Sequence, residues 1–234
     1  MSLYLIILLV TLAVPLLLSF DKKLHFYRQW KFVLPSVFII SLFYIAGDIY
    51  MTHQGVWGFD PHYRSDITIF GLPVEECLFF VIIPYASIFL HEAFILYFPG
   101  IRTGNWTTRI ILAALIVSMV LLIIFNRHKA YTAYSFLLTL FALLLAIFDR
   151  SEILSKFYIT FLLILIPFFI VNGILTGSFI DGEVVWYNNH ENLGIRIFTI
   201  PVEDISYGFS LILLNLLLIA RLKIWFARFP AEKA

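Results

Sequence analysis

Two short stretches carry acids in a setting where acids are costly. Residues 72 to 80 read Leu-Pro-Val-Glu-Glu-Cys-Leu-Phe-Phe, with Glu75 and Glu76 at the mouth of an apolar run, and residues 200 to 204 read Ile-Pro-Val-Glu-Asp, with Glu203 and Asp204 at the mouth of another. A proline and carboxylates in the first turn of a helix are ordinary capping chemistry, because the acids face the positive end of the helix dipole. An ionised carboxylate entering hydrocarbon, however, costs on the order of 2.5 to 3.5 kcal/mol, and such residues usually face a bundle interior. Four acids in two matched places therefore suggest a shared site. Neighbouring carboxyls in a dry site do not both ionise cheaply, so one keeps its proton while the other carries charge, and a general acid then stands beside a general base.

Aromatic residues lie close by. Phe79 and Phe80 follow the first pair by one turn, Tyr207 follows the second, and Trp57 and Trp186 fall in the preceding loops. A strong acid beside aromatic faces in an apolar cavity suits carbocation chemistry: the acid protonates a carbon-carbon double bond, the rings stabilise the cation, and the base removes a proton. Isoprenoid polyenes are substrates of that kind. Asp48, Asn172 and Asp181, at helix ends on the same level, are placed to orient the acids or to cap helices.

The elements that must position these residues are transmembrane. The 234 residues are 62% hydrophobic and 13% charged, too apolar for a soluble domain. Runs long enough to cross a bilayer occur at about 3–20, 32–50, 75–97, 109–125, 131–148, 157–176 and 202–221. With the N-terminus outside, Lys22, Lys23, Arg28, Lys31, Arg102, Arg109, Arg150, Lys156, Arg221, Lys223, Arg228 and Lys233 fall inside, whereas only Arg64, Arg127, Lys129 and Arg196 fall outside. That bias predicts seven spans in the cell membrane with a cytoplasmic C-terminus. The first run, followed rather than preceded by lysines, reads as a retained span and not as a signal peptide.

The chain is written twice. Phe20-Asp21 recurs as Phe148-Asp149 and Pro73-Val74-Glu75 as Pro201-Val202-Glu203, both at an offset of 128, with Trp57 near Trp186 and Pro35 near Pro167 at slightly different offsets. Two copies of a three-span unit in the same orientation need one extra crossing, so residues 1–97 form the first repeat, 98–130 a linking helix and hairpin, and 131–234 the second repeat with a basic tail. The expected fold is an all-α membrane bundle of two parallel three-helix repeats.

The stretches Gly-Val-Trp-Gly-Phe-Asp (55–60), Leu-Pro-Val-Glu-Glu-Cys-Leu-Phe-Phe (72–80), Asn-Gly-Ile-Leu-Thr-Gly (172–177) and Ile-Pro-Val-Glu-Asp (200–204) resemble the lycopene cyclase domain family of small membrane-embedded carotenoid cyclases, in its fused two-repeat form. The resemblance implies redox-neutral cyclisation of the open ψ ends of lycopene, or of a related carotenoid, to β-ionone rings. It points to Glu75, Glu76, Glu203 and Asp204 as the acids and implies no redox cofactor. The second copy departs from the first in having Asp204 for Glu76 and Tyr207 for Phe79.

Other classes fit less well. A retinal photoreceptor needs a mid-membrane lysine, and Lys223 lies at the inner end of its span. A di-iron oxygenase needs clustered histidines, and the six here are scattered, so no metal is expected. No Gly-x-Gly-x-x-Gly follows a strand, which removes nucleotide-cofactor binding of the Rossmann kind. With a net charge of +1 and no basic domain outside the membrane, nucleic acid is not an expected partner; membrane lipid is. Cys77, the one cysteine, reads as an inert buried thiol. A proton-coupled carrier, or a membrane protein that binds an isoprenoid without acting on it, remains the alternative, because parallel repeats and intramembrane acids serve those as well.

Overall fold

The computed structural model describes residues 1–149 and 151–228, so Arg150 and Lys233, two of the charges counted toward topology, and the end of the basic tail lie outside the described residues. Within it stand seven α-helices: α1 (Leu3–Leu18), α2 (Trp30–His53, entered through a 3-10 turn at Phe26–Gln29), α3 (Val74–Tyr97), α4 (Asn105–Asn126), α5 (Ala130–Ile147), α6 (Ile153–Leu175) and α7 (Val202–Arg228). Six are long and apolar enough to cross a membrane, and α1, at 16 residues, is shorter. Their outward faces carry Leu, Ile, Val and Phe side chains that water would not tolerate and lipid would. This is an all-α membrane protein.

The two copies repeat in detail. Helix α1 packs on α3 as α5 packs on α7, while α2 and α6 close the middle of the bundle against α3 and α7. Helix α4 joins the copies and lies against α5, mostly exposed. Both α2 and α6 are entered through a residue in the left-handed region, His25 at φ 47° and Glu152 at φ 58°. Aligning the copies on those entries corrects one expectation: Pro35 and Pro167 are not equivalent, since each lies at a different distance along its helix.

At the end where α1, α3, α5 and α7 begin, each copy folds its loop into a small hairpin. Strands β2 (Thr68–Ile69) and β3 (Leu72–Pro73) make the first, β5 (Arg196–Ile197) and β6 (Ile200–Pro201) the second. The first turns through Phe70 and Gly71, both at positive φ; the second turns through Phe198 and Thr199 with only Phe198 so. Those are the backbone signatures of tight two-residue hairpins. A backbone bond then fixes each hairpin to its helix, Val74 N–H to Ile67 O at 3.0 Å and Val202 N–H to Ile195 O at 3.1 Å.

Strands β1 (Trp57–Phe59) and β4 (Val185–Tyr187) pair antiparallel across the copies, with Gly58 opposite Trp186 at the centre. Gly58 and Trp186 are 128 apart, so the pairing has the two-fold symmetry that parallel repeats demand. A Cβ on residue 58 would sit 2.4 Å from the Trp186 ring, which is why glycine stands there.

Candidate active site

Successive residues on a helix point about 100° apart, and that rotation splits each acidic pair. Glu75 turns toward the loop and the start of α1: its carboxylate accepts from Ser2 Oγ at 2.6 Å, Ser65 N–H at 2.8 Å and Ser65 Oγ at 3.1 Å. Glu203 does the same in the second copy, accepting from Thr132 Oγ1 and Leu193 N–H, both at 2.7 Å. These first acids are buried clamps between a helix start, its loop and the start of the helix packed alongside, α1 for Glu75 and α5 for Glu203.

The second acids face inward. Glu76 accepts the Tyr4 hydroxyl at 2.5 Å, and Asp204 accepts the hydroxyls of Tyr131 and Tyr187, the latter at 3.0 Å. Tyr187 lies in the loop ribbon, and burial, then the neighbouring Asp204 and Glu76 charges, push its phenol well above the ordinary range, so it keeps the proton it donates. The expectation of an acid and a base adjacent within one pair is therefore corrected: the carboxyls that share a space come one from each copy.

That space is a cavity of about 370 Å³ between α1, α3, α6 and α7, roofed by the β1–β4 ribbon. Glu76 and Asp204 form part of its wall at the roofed end together with Asp48, which is buried and has Oδ2 without a hydrogen-bond partner. From there the walls are apolar and aromatic, including Trp57, Phe79, Phe80, Phe168 and Tyr207. The aromatic contacts are close: Phe80 stands 6.2 Å from Tyr207 and 5.7 Å from Phe79, ring centre to ring centre, and Tyr4 stands 6.5 Å from Phe79.

Of the expected site residues, Glu76, Asp204, Asp48, Phe79, Phe80, Tyr207, Trp57 and Asn172 line this cavity. Glu75 and Glu203 stand behind it. Trp186 does not reach it: in an antiparallel pair alternate side chains face opposite ways, and the register puts Trp57 and Phe59, Val185 and Tyr187 inward while Trp186 lies across Gly58 on the outer face. Asp181 is outside as well, its backbone carbonyl accepting the Tyr63 hydroxyl. Asn172 is tied into α6 by its amide, which donates to Phe168 O at 3.2 Å. The tyrosines Tyr4, Tyr131 and Tyr187 were not anticipated. Tyr4 and Tyr131 begin matched helices 127 residues apart, so the internal duplication itself carried that signal.

No group of three or more His, Cys, Asp and Glu side chains among the described residues is arranged to hold a metal ion.

A helical membrane bundle with paired repeats and carboxyls buried against an aromatic cavity is the class of protein that this geometry defines. The family model described as lycopene cyclase matches residues 1–94 and 128–222, leaving out α4, and the chain belongs to that family. Among curated proteins it is similar to the lycopene beta-cyclases of two strains of Halobacterium salinarum, ATCC 29341 and ATCC 700922, at 32% identity over 73 residues in each case. That match covers 31% of this chain and 30% of each relative, so it spans under a third of the proteins it matches. No solved structure matches the chain significantly.

Proposed function

We propose that this protein cyclises the ψ ends of lycopene, or of a related linear carotenoid, to β-ionone rings inside the membrane, without redox change. The observation that carries the reading is the convergence of Glu76 and Asp204, one from each repeat and each held by phenols, on a single apolar cavity lined with aromatic faces. Membership of the lycopene cyclase family and the two similar lycopene beta-cyclases support it.

In this mechanism a carboxyl gives its proton to C2 of the terminal 1,2 double bond, leaving a tertiary cation at C1. The 5,6 double bond attacks C1, closing the ring and moving the cation to C5. Loss of the C6 proton to a carboxylate regenerates a 5,6 double bond and yields the β ring; one proton enters, one leaves, and the mass is unchanged. Asp204, held by two phenols where Glu76 has one, is assigned to take the proton up, and Glu76 to give it. Trp57, Phe79, Phe80 and Tyr207 offer π faces to the cations. Tyr4, Tyr131 and Tyr187 hold the acids in place, and Glu75 and Glu203 fix the helix starts that carry them. The N-terminus and the cavity roof face the outside of the cell membrane, following the distribution of Lys and Arg. Residues 1–97 and 131–234 act as the two repeats and 98–130 as their link.

Expression in a bacterial host engineered to accumulate lycopene tests the reading. The parent chain is expected to convert lycopene to an isomer of equal mass with a blue-shifted spectrum, and Glu76→Gln to leave lycopene in place. Lycopene persisting although the parent protein is in the membrane would sink the cyclase assignment, and proton-coupled uptake would be measured next. Conversion by the parent with Glu76→Gln equally active would remove Glu76 as donor.

A further inference from the structure

The cavity has a second end. Below the acids its walls include Val10 and Val14 of α1 and Pro167 of α6, and all three are exposed at the bundle surface, Val10 at 68% and Val14 at 59%. At about 1.5 Å per helical residue, Val10 and Val14 lie roughly 9 and 15 Å along α1 from Tyr4, and Pro167 roughly 12 Å along α6 from Leu175 at the roofed end. A hydrocarbon core is about 30 Å thick, so this gap opens toward the middle of the bilayer, into acyl chains rather than water.

The repeat-related space, between α5 and α2, is shut. Tyr134 of α5 places its hydroxyl where a Cβ on Gly47 of α2 would be, the two positions being only 1.8 Å apart. Tyr44 of α2 stacks edge-on against Tyr207 at 5.0 Å and donates to Ser210 Oγ at 2.8 Å, filling the remainder. Leu137 and Phe141, the α5 positions that match Val10 and Val14, are exposed but line no part of the cavity.

We propose that a linear polyene enters sideways from the lipid through the gap between α1 and α6, and that the closed α5–α2 side leaves room for one end of the molecule at a time. The volume of about 370 Å³ sits near the lower limit of small-ligand sites, about 300–1,000 Å³, and suits an end group with part of its conjugated chain while the rest stays in the bilayer. A polyene with two ψ ends must then withdraw after the first ring forms and return with its other end, so the one-ring compound is a released intermediate. This inference deepens the cyclase reading and rests on it for the identity of the ligand.

The test uses the full chain in vesicles containing lycopene, with two independent readouts. In the first, Val14→Trp is compared with Leu137→Trp, a bulky change at a lipid-facing position of the other copy, the one that matches Val10, one turn from Val14. Val14→Trp is expected to slow lycopene consumption at least about tenfold, and Leu137→Trp to stay within about twofold of the parent. In the second, a benzophenone amino acid is placed at position 14 or position 137, the vesicles are irradiated, and the adduct is weighed by mass spectrometry. A polyene adduct at 14 and not at 137, with the one-ring compound accumulating before the two-ring product, supports the portal. Equal slowing by the two tryptophans with equal adducts at both positions overturns it while leaving the cyclase reading intact. Adducts confined to position 14 without any conversion by the parent keep the portal and end the cyclase reading. Neither adducts nor conversion would overturn both.

Discussion

The division of labour within each acidic pair makes a quantitative prediction, best posed in the second copy. Glu203→Gln keeps the side-chain volume and still offers an oxygen to Thr132 and Leu193, whose bonds both end on Oε1 at 2.7 Å. A hydrogen bond to a charged acceptor contributes about 1.5–3 kcal/mol and a neutral one about 0.5–1.5 kcal/mol, so the two together weaken by about 2–3 kcal/mol. Loss of the negative charge at the helix start adds about 0.5 kcal/mol. The folded protein, however, retains both inward-facing acids, so its turnover should stay within about threefold of the parent. Asp204→Asn weakens the bonds from Tyr131 and Tyr187 by a similar amount, and it also removes the proposed proton acceptor. General acid–base groups contribute about 10²- to 10⁴-fold, so turnover per folded molecule should fall by that factor. Thermal unfolding in detergent measures the first quantity; lycopene consumption in vesicles, normalised to the folded fraction, measures the second. Both variants should lose comparable stability and differ by at least two orders of magnitude in turnover. A folded Glu203→Gln protein that is inactive, beside an active Asp204→Asn protein, would refute the argument, since the acid behind the wall would then be the one in the reaction.

Three further outcomes are expected. Removing one of the two phenols on Asp204 with Tyr131→Phe should lower turnover about tenfold with little change in lycopene binding; a change in binding alone would make Tyr131 part of the cavity wall only. Trp57→Ala should reduce turnover strongly, whereas Trp186→Ala, on the opposite face of the ribbon, should chiefly lower thermal stability, and equal losses of turnover would contradict the strand register. Cyclisation in deuterated water should place one deuterium in the product for each ring formed, read as a mass increase of about one unit per ring; unlabelled product would mean that the initiating proton does not come from an exchangeable group.

The seven apolar runs and the duplication were legible because they rest on composition and on identical words, and each run became a helix at nearly the expected place. That the two acidic motifs meet was legible for the same reason, since Glu76 and Asp204 line one cavity. Which acid faces inward was not, because it depends on the rotation of α3 against α1 and of α7 against α5, and sequence gives the spacing of two neighbours but not the direction of their bisector. Trp57 and Trp186 failed as a pair for a related cause. They are 129 apart in a segment whose true offset is 128, and in a strand a slip of one residue turns a side chain to the other face. Asp48 could be placed near the acids by its level in the membrane, but its burial in the same wall depends on how α2 packs across the copies.

Symmetry and chemistry pull in different directions here, and the sequence differences between the copies fall where they conflict. A protonation followed by a deprotonation needs two groups in different environments around one substrate, which two identical half-sites facing separate cavities would not provide. In this bundle the second acids of both copies converge on one cavity, and the differences around them are what make it single. Asp204 is one methylene shorter than Glu76 and takes two phenols in place of one. Tyr207 stands where the first copy has Phe79, and beside it Tyr44 and Tyr134 occupy the volume in which a second polyene would lie, with Gly47 vacating the space that Tyr134 needs. The first acids, by contrast, share a pair of partners in both copies, a hydroxyl from the start of α1 or α5 and a backbone N–H from the loop. What the duplication preserved is the scaffold that sets two carboxyls at one depth; what it relaxed is the packing on one side, and in the proposed mechanism that relaxation is what sets a donor apart from an acceptor in two copies of one motif.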